Sequence, residues 1–198
     1  LFVVSAENDT LRLVTFEDDL SPLPQERARL RYFNAAADVP LMRLGASTME
    51  DINLPDVSFG QLSRPLLVEP GTYNLSFERV ENRTTGDTVE TSEGIQIDAG
   101  REYIFLVTAR GLEQAPIVFI EDVGIEAAAG PTPEDPDATA MPTATAPTRV
   151  RFVHAIDGAG PINVLFNGIA IASELEARQS TAFTVVMGAG HVIEVSYA

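Results

Sequence analysis

The chain has no cysteine, no lysine and no tryptophan, and only two histidines, His154 and His191. The missing cysteines exclude a disulfide frame, a thiol nucleophile and Cys-rich zinc or iron–sulfur sites. The missing lysine excludes Schiff-base chemistry and a Walker-type phosphate loop. No apolar run approaches the roughly 20 residues that a membrane-spanning helix needs; the longest are stretches such as Tyr103–Val107 and Ile117–Ile120. Positive charge is scarce too. Thirteen basic residues, all arginine, face 29 acidic ones, for a formal net charge of −16 over 198 residues. That balance opposes a polyphosphate partner, so no nucleic acid is expected.

What is present is repetition. Arg29-Leu30-Arg31-Tyr32-Phe33-Asn34-Ala35 recurs as Arg149-Val150-Arg151-Phe152-Val153-His154-Ala155. Val39-Pro40-Leu41 then corresponds to Gly160-Pro161-Ile162, and the strand pattern Tyr73, Leu75, Phe77 to Ile193, Val195, Tyr197. A second echo links Leu1–Ala6 with Ile104–Ala109, and Val14–Asp18 with Val118–Asp122. The expected organisation is therefore the last two strands of a preceding or neighbouring repeat (1–26), a complete repeat (27–123), a linker (124–147) and the first half of another repeat (148–198). Leu1–Ala6 read as the middle of a buried strand. Either a targeting segment has been removed or the chain is a piece of something longer.

Residues 124–147 are rich in proline, alanine, threonine and acid, which predicts a semi-extended spacer at about 3 Å per residue. Such stalks are often O-glycosylated outside the cell, with Thr143 and Thr145 as candidates, or they are plain spacers. Elsewhere a period of two dominates. Tyr73, Leu75 and Phe77 alternate with Asn74, Ser76 and Glu78, and Ile95 and Ile97 with Gln96 and Asp98. Turn signals at Pro70-Gly71, Thr85-Gly86-Asp87 and Ala99-Gly100 punctuate about seven short strands in the full repeat. The fold class expected is all-β: tandem antiparallel immunoglobulin-like β-sandwich repeats joined by a Pro/Thr/Ala-rich linker. Short helical turns are possible at Ser47–Asn53 and Ser173–Arg178. Strand 103–109 is apolar on both faces, so its outer face needs a cover, from a loop or linker of its own domain or from a neighbouring domain or subunit.

The run from Arg149 to Ala155, with Pro161-Ile162-Asn163-Val164, Asn167-Gly168 and, in the first repeat, Pro70-Gly71-Thr72-Tyr73, resembles the domain of unknown function 4397 family of bacterial secreted and surface β-sandwich modules. The resemblance covers 27–123 and, as a partial copy, 148–198. It implies extracellular tandem modules and no established activity. The chain departs from the pattern in Asn34, where the motif has histidine, and in His191 after Gly190.

Candidate chemistry is thin. His154 holds the place of Asn34, and asparagine substitutes for histidine as a hydrogen-bonding group but not as a titrating base, which points to a structural role. His191 reads as a turn residue. No catalytic residue and no cofactor are expected. Glu17, Asp18, Glu121 and Asp122 recur at equivalent positions and are weak calcium candidates, without the spacing of an EF-hand loop. Asn8, Asn74 and Asn82 match the N-glycosylation pattern. Arg29, Arg31, Arg149 and Arg151 point outward and could meet carboxylates on adjacent strands.

These features predict a non-catalytic structural subunit, extracellular or at a cell surface. Residues 148–198 correspond to about 28–77 and residues 1–20 to about 104–123, with the equivalent of about 78–103 missing from both, so head and tail of successive copies could complete one sandwich and build a filament. Leu1, Phe2, Val3, Val4, Val150, Phe152, Ile193 and Val195 would form that interface, with other copies of the chain as partners. The competing explanation is a window cut from a longer repeat polypeptide. An alternative function is a glycan-binding adhesion module using Tyr32 or Tyr73.

Overall fold

The computed structural model describes residues 2–7, 10–15, 21–46, 55–81, 84–108, 116–123, 148–156, 158–186 and 191–198. Among them there are strands and turns and no helix. The expected turn at Ser47–Asn53 lies outside the described residues. The one expected at Ser173–Arg178 is replaced by strand as far as Leu175, followed by a turn. Its Ile169–Leu175 segment is drawn into a ladder with Ile162–Phe166, and tertiary pairing overrides the weak local preference.

The described residues of 21–123 build two facing sheets from eight strands, where the spacing predicts about seven. One sheet has the order β5-β4-β7-β8, from β4 (Leu41–Ala46), β5 (Val57–Ser58), β7 (Gly71–Glu81) and β8 (Thr84–Ile97). The other is β10-β9-β3-β6, from β3 (Ala28–Asn34), β6 (Leu66–Val68), β9 (Arg101–Val107) and β10 (Ile117–Asp122). Leu30, Tyr32, Phe105 and Val107 of one sheet meet Met42, Leu44, Leu75 and Phe77 of the other in a single core. The ring of Tyr32 lies 5.7 Å from that of Phe77, which lies 5.9 Å from that of Phe105. The alternation read from Tyr73 to Phe77 is kept: Leu75 and Phe77 are buried while Asn74 is exposed.

Residues 148–198 carry β11 (Thr148–Val150), β12 (Phe152–His154), β13 (Ile162–Phe166), β14 (Ile169–Leu175), β15 (Thr184–Val186) and β16 (Ile193–Tyr197). β14-β13-β16 form one sheet and β11-β15 a short pair. β12 belongs to a third sheet, β12-β1-β2, whose other members come from the opposite end of the chain: β1 (Phe2–Glu7) and β2 (Thr10–Thr15). The core of this unit gathers Val150, Phe152, Ile162, Val164, Phe166, Leu175 and Val186.

The ladders carry a detail that alternation hides. Leu44 pairs with Phe77, and Val164 with Val195. Leu44 and Val164 stand equally far from Asn34 and His154, and the buried Ile162 takes the place of the buried Met42 rather than of Leu41 as the sequence match has it, so Val195 occupies the place of Phe77 and Ile193 that of Leu75. This is two residues away from the match that the sequence suggests. A slip of two leaves every side chain on its own face, and so a period-two pattern cannot register it.

Candidate functional site

The joint between the two ends of the chain is the feature most unlike an ordinary domain. β1 lies parallel to β12 with Phe2 opposite Phe152, Val3 opposite Val153 and Val4 opposite His154, and β2 runs antiparallel on the far edge of β1. In the 21–123 unit, β9 lies parallel to β3 with Phe105 opposite Tyr32, Leu106 opposite Phe33 and Val107 opposite Asn34, and β10 runs antiparallel beyond it. The two arrangements share register as well as direction. The successive apolar residues Phe2, Val3 and Val4 match Phe105, Leu106 and Val107 in kind, the run of a strand placed in a parallel pair.

The opposite edge of β12 is fixed in the same way as that of β3. The Asn34 N–H donates to the Gln61 carbonyl and the Ser63 N–H to the Tyr32 carbonyl, while Ser63 Oγ accepts from the Tyr32 N–H. The His154 N–H likewise donates to Gln179, the Thr181 N–H to Phe152, and Thr181 Oγ1 accepts from the Phe152 N–H. One edge of each strand is therefore held by following segments, for β3 by β6 and residues 61–63 and for β12 by residues 179–181, which leaves the other edge to β9 or β1.

Asn34 and His154, both fully buried, do the same work with different side chains. Asn34 Oδ1 accepts from the Ala36 N–H, and its Nδ2 donates to the carbonyls of Val39 at 2.8 Å and Val57 at 3.3 Å. His154 Nδ1 faces the Ile156 N–H at 3.3 Å, and Nε2 the Gly160 carbonyl at 3.0 Å. A backbone donor stands at Nδ1 and a carbonyl at Nε2. Both ring nitrogens are thus occupied in pinning the loop 155–160.

The outer face of β9 is covered by the other unit. Phe33, Ala35, Ile104, Leu106 and Phe119 form one apolar cluster with Val153 and Ala155, and Val14, Leu62 and Ile117 pack against it. Phe33 and Ala35 thus share one cluster with Val153 and Ala155, the residues at the corresponding places of the sequence echo. Polar contacts frame it. The Arg178 guanidinium donates to Thr108 Oγ1, and the Thr108 N–H donates to Glu90 Oε1 at 3.0 Å. The Arg151 guanidinium lies 3.8 Å from the centroid of Phe183 and 5.3 Å from that of Phe119, across the same joint. No motif announces these residues. The only hint is the doubly apolar character of 103–107.

Arg29 and Arg31 do meet a carboxylate on an adjacent strand. Glu102 of β9, fully buried, takes Arg31 at 3.2 Å and Arg29 at 3.8 Å, and Arg29 also donates to Ser21 Oγ. In the second unit Arg149 and Arg151 instead stack on Phe183.

Other singled-out residues are dispersed. Leu1 lies outside the described residues. Val150 sits in β11, paired with β15, and Ile193 and Val195 sit in β16, paired with β13, so none of the three adjoins β1. Glu17, Asp18, Asn8, Asn82, Thr143 and Thr145 lie outside the described residues. Glu121 and Asp122 end β10 opposite Glu102 and Arg101, and among the described residues no three acidic or histidine side chains gather as a metal site would need. Asn74 is exposed, and its Oδ1 accepts from the Gly94 N–H. His191 lies at the surface, its Nδ1 beside Asn167 Nδ2 at 3.0 Å and its ring against Phe166.

Tyr32 cannot serve as a stacking platform for a sugar: it is 1% exposed, its single hydroxyl proton shared between the carbonyls of Met42 and Pro55. Burial pushes that hydroxyl well above the usual tyrosine range. Tyr73 is half-buried, with its hydroxyl donating to the Glu69 carbonyl at 2.6 Å.

No family model matches the chain, and no curated protein matches it.

Proposed function

We propose that the protein is a non-catalytic structural subunit of an extracellular or cell-surface assembly, and that copies join by exchanging the β1–β2 hairpin. The observation that carries this reading is the β1–β12 ladder, which repeats the β9–β3 register although the whole 21–123 unit separates its two strands in sequence. A strand pair that docks by its own side-chain and backbone pattern can dock on the same chain or on the next one. Head-to-tail docking makes an open, heterologous contact, and that is how a filament grows. Within one chain the hairpin benefits from a high effective concentration, so exchange between copies needs crowding, as at a surface or in a matrix. The occupied nitrogens of His154 and the strongly acidic composition, which favours solubility without a polyanionic partner, support the non-catalytic reading.

The absence of native cysteine makes the test direct. Val3→Cys with Val153→Cys places two thiols at register-matched positions of β1 and β12. Oxidation over a range of protein concentrations should yield an intrachain bond in dilute solution and a ladder of disulfide-linked oligomers in concentrated solution. An intrachain bond at every concentration would reduce the protein to a self-closed module and defeat the assembly reading.

A further inference from the structure

We propose that β16 is a self-pairing edge through which two copies of the chain dimerise, antiparallel and about a two-fold axis. The inference stands apart from hairpin exchange, which uses β1 and β12 in another sheet.

The 21–123 unit shows that this position in the fold takes a further strand. β7, the counterpart of β16, is covered by β8 from Gly71 opposite Ile97 to Glu81 opposite Thr84. Under that cover Leu75 is 2% and Phe77 0% exposed. Among the described residues no strand pairs with the outer edge of β16. There Ile193 and Val195 are only half-buried, and Tyr197 is 49% exposed. Among the described residues the outer edges of β10 and β2 are unpaired too, but those strands are counterparts of each other, so the fold does not call for a partner at either.

Edges that must stay solitary are usually blunted. β8 is: its ladder to β7 breaks register at three places, and it carries Gly86, Gly94 at φ 63°, Asp87 and Glu93. β14 breaks register twice against β13. β16 is blunted less, by the single charge of Glu194. Its ladder to β13 runs from Ile162–Tyr197 to Phe166–Ile193 without a shift, and it holds neither glycine nor proline.

Backbone direction and charge choose the occupant. The Asn167 N–H donates to the Val192 carbonyl and the Ala198 N–H to the Pro161 carbonyl, at the two ends of that ladder. By the alternation of an antiparallel pair, Glu194 and Ser196 then bond inward to β13, while the backbone groups of Ile193, Val195 and Tyr197 face outward. Two β16 strands centred on Val195 place Val195 against Val195, and Ile193 against Tyr197 of the second copy. Each of these pairs can exchange both backbone bonds. Glu194 falls opposite Ser196 of the second copy. Centring on Glu194 would instead set two carboxylates face to face, which like-charge repulsion disfavours. The favoured register continues the core-facing row of Ile193, Val195 and Tyr197 across both copies.

Sedimentation equilibrium of the full chain tests this, with circular dichroism melting to verify folding. The wild type should show a monomer–dimer equilibrium. Val195→Pro removes an outward N–H without touching the β13 ladder and should weaken dimerisation by about tenfold or more. Ser196→Glu, set against Glu194 of the second copy, should weaken it several-fold, and Ser196→Arg should tighten it several-fold. These two exposed substitutions keep the test intact should the proline variant misfold. A monomer at all concentrations, or a dimer indifferent to both Ser196 substitutions, would overturn the proposal. So would a monomer that binds a synthetic peptide of residues 84–97 and loses it on Val195→Pro, because the edge would then belong to a β8-like strand. Disulfide ladders from the Val3/Val153 cysteine pair would be unaffected by either Ser196 variant, so this pairing and hairpin exchange fail separately.

Discussion

Residues 21–123 reach their two-sheet arrangement along one continuous stretch of chain, whereas the second unit is assembled from both ends. β9 reaches β3 after the chain has passed through β4 to β8, while β1 reaches β12 with the whole first unit between them in sequence. The registers nevertheless agree, and so do the loop bonds on the opposite edge, down to Ser63 Oγ and Thr181 Oγ1. The same backbone arrangement is therefore reached through two different chain connections. The difference shows in what each unit leaves uncovered: β8 closes the first at β7, and nothing among the described residues closes the second at β16.

The comparison breaks hardest at Val153, which lies opposite Val3 in the β1 ladder and packs in the cluster between units. Val153→Asp buries an unpaired carboxylate at a site that is 0% exposed, and the expected cost is about 4 kcal/mol or more. Hydrogen exchange should show loss of protection over 2–15 and 152–197, with 28–107 retained. Equal loss in both units would mean that the first does not hold together without the second.

His154 gives the next largest effect. His154→Ala removes the bonds to Ile156 and Gly160 and leaves a buried cavity, for an expected loss of about 2–3 kcal/mol in denaturant titration. His154→Asn should recover most of that loss, because Asn34 makes the equivalent bonds in the first unit. An asparagine variant no better than alanine would show that the two loops are held differently.

The pairing of Asn34 with His154 was legible because both sit at the same place in a seven-residue echo, and the echo itself because strands mark apolar positions rigidly. The doubly apolar strand 103–107 announced a cover but not its source, since the covering residues Val153, Ala155 and Val14 come from distant segments and have no motif. The two-residue slip of β16 was invisible for the reason given by the pleat. Arg178 was opaque as well, because a lone arginine in a turn reads as a solvated charge. Tyr32 looked like a possible surface aromatic, yet it is the hydrogen-bonded centre of the first core.

Tyr32 sharpens the comparison, since its counterpart is Phe152. Tyr32→Phe leaves the carbonyls of Met42 and Pro55 without its hydroxyl and should cost about 1–2 kcal/mol near neutral pH. At alkaline pH the order changes. The buried hydroxyl keeps its proton well above the ordinary value of 10.0, so above that value the unfolded chain ionises and the folded one does not. Stability then falls by up to about 1.4 kcal/mol per pH unit from this group. Tyr32→Phe lacks that contribution, so the gap between variant and wild type should narrow as the pH rises beyond 10.0 in urea titrations. A gap independent of pH would show that the hydroxyl ionises as readily in the folded protein.

The smallest effect separates backbone from side chain at Arg178. Its N–H donates to the His154 carbonyl at φ 66°, as the N–H of Gly60 donates to the Asn34 carbonyl at φ 74°. The first unit thus uses glycine where the left-handed conformation is needed, and the second uses an arginine that also reaches Thr108 across the joint. Arg178→Gly loses that contact but relieves the backbone, whereas Arg178→Ala loses the contact and keeps the strain of a Cβ in the left-handed region. The alanine variant should therefore be the less stable of the two by about 1 kcal/mol, against the usual order in which glycine is the more costly. Urea titration of the pair measures the difference directly. Equal stabilities, or alanine above glycine, would mean that the turn at Arg178 is not the counterpart of the turn at Gly60.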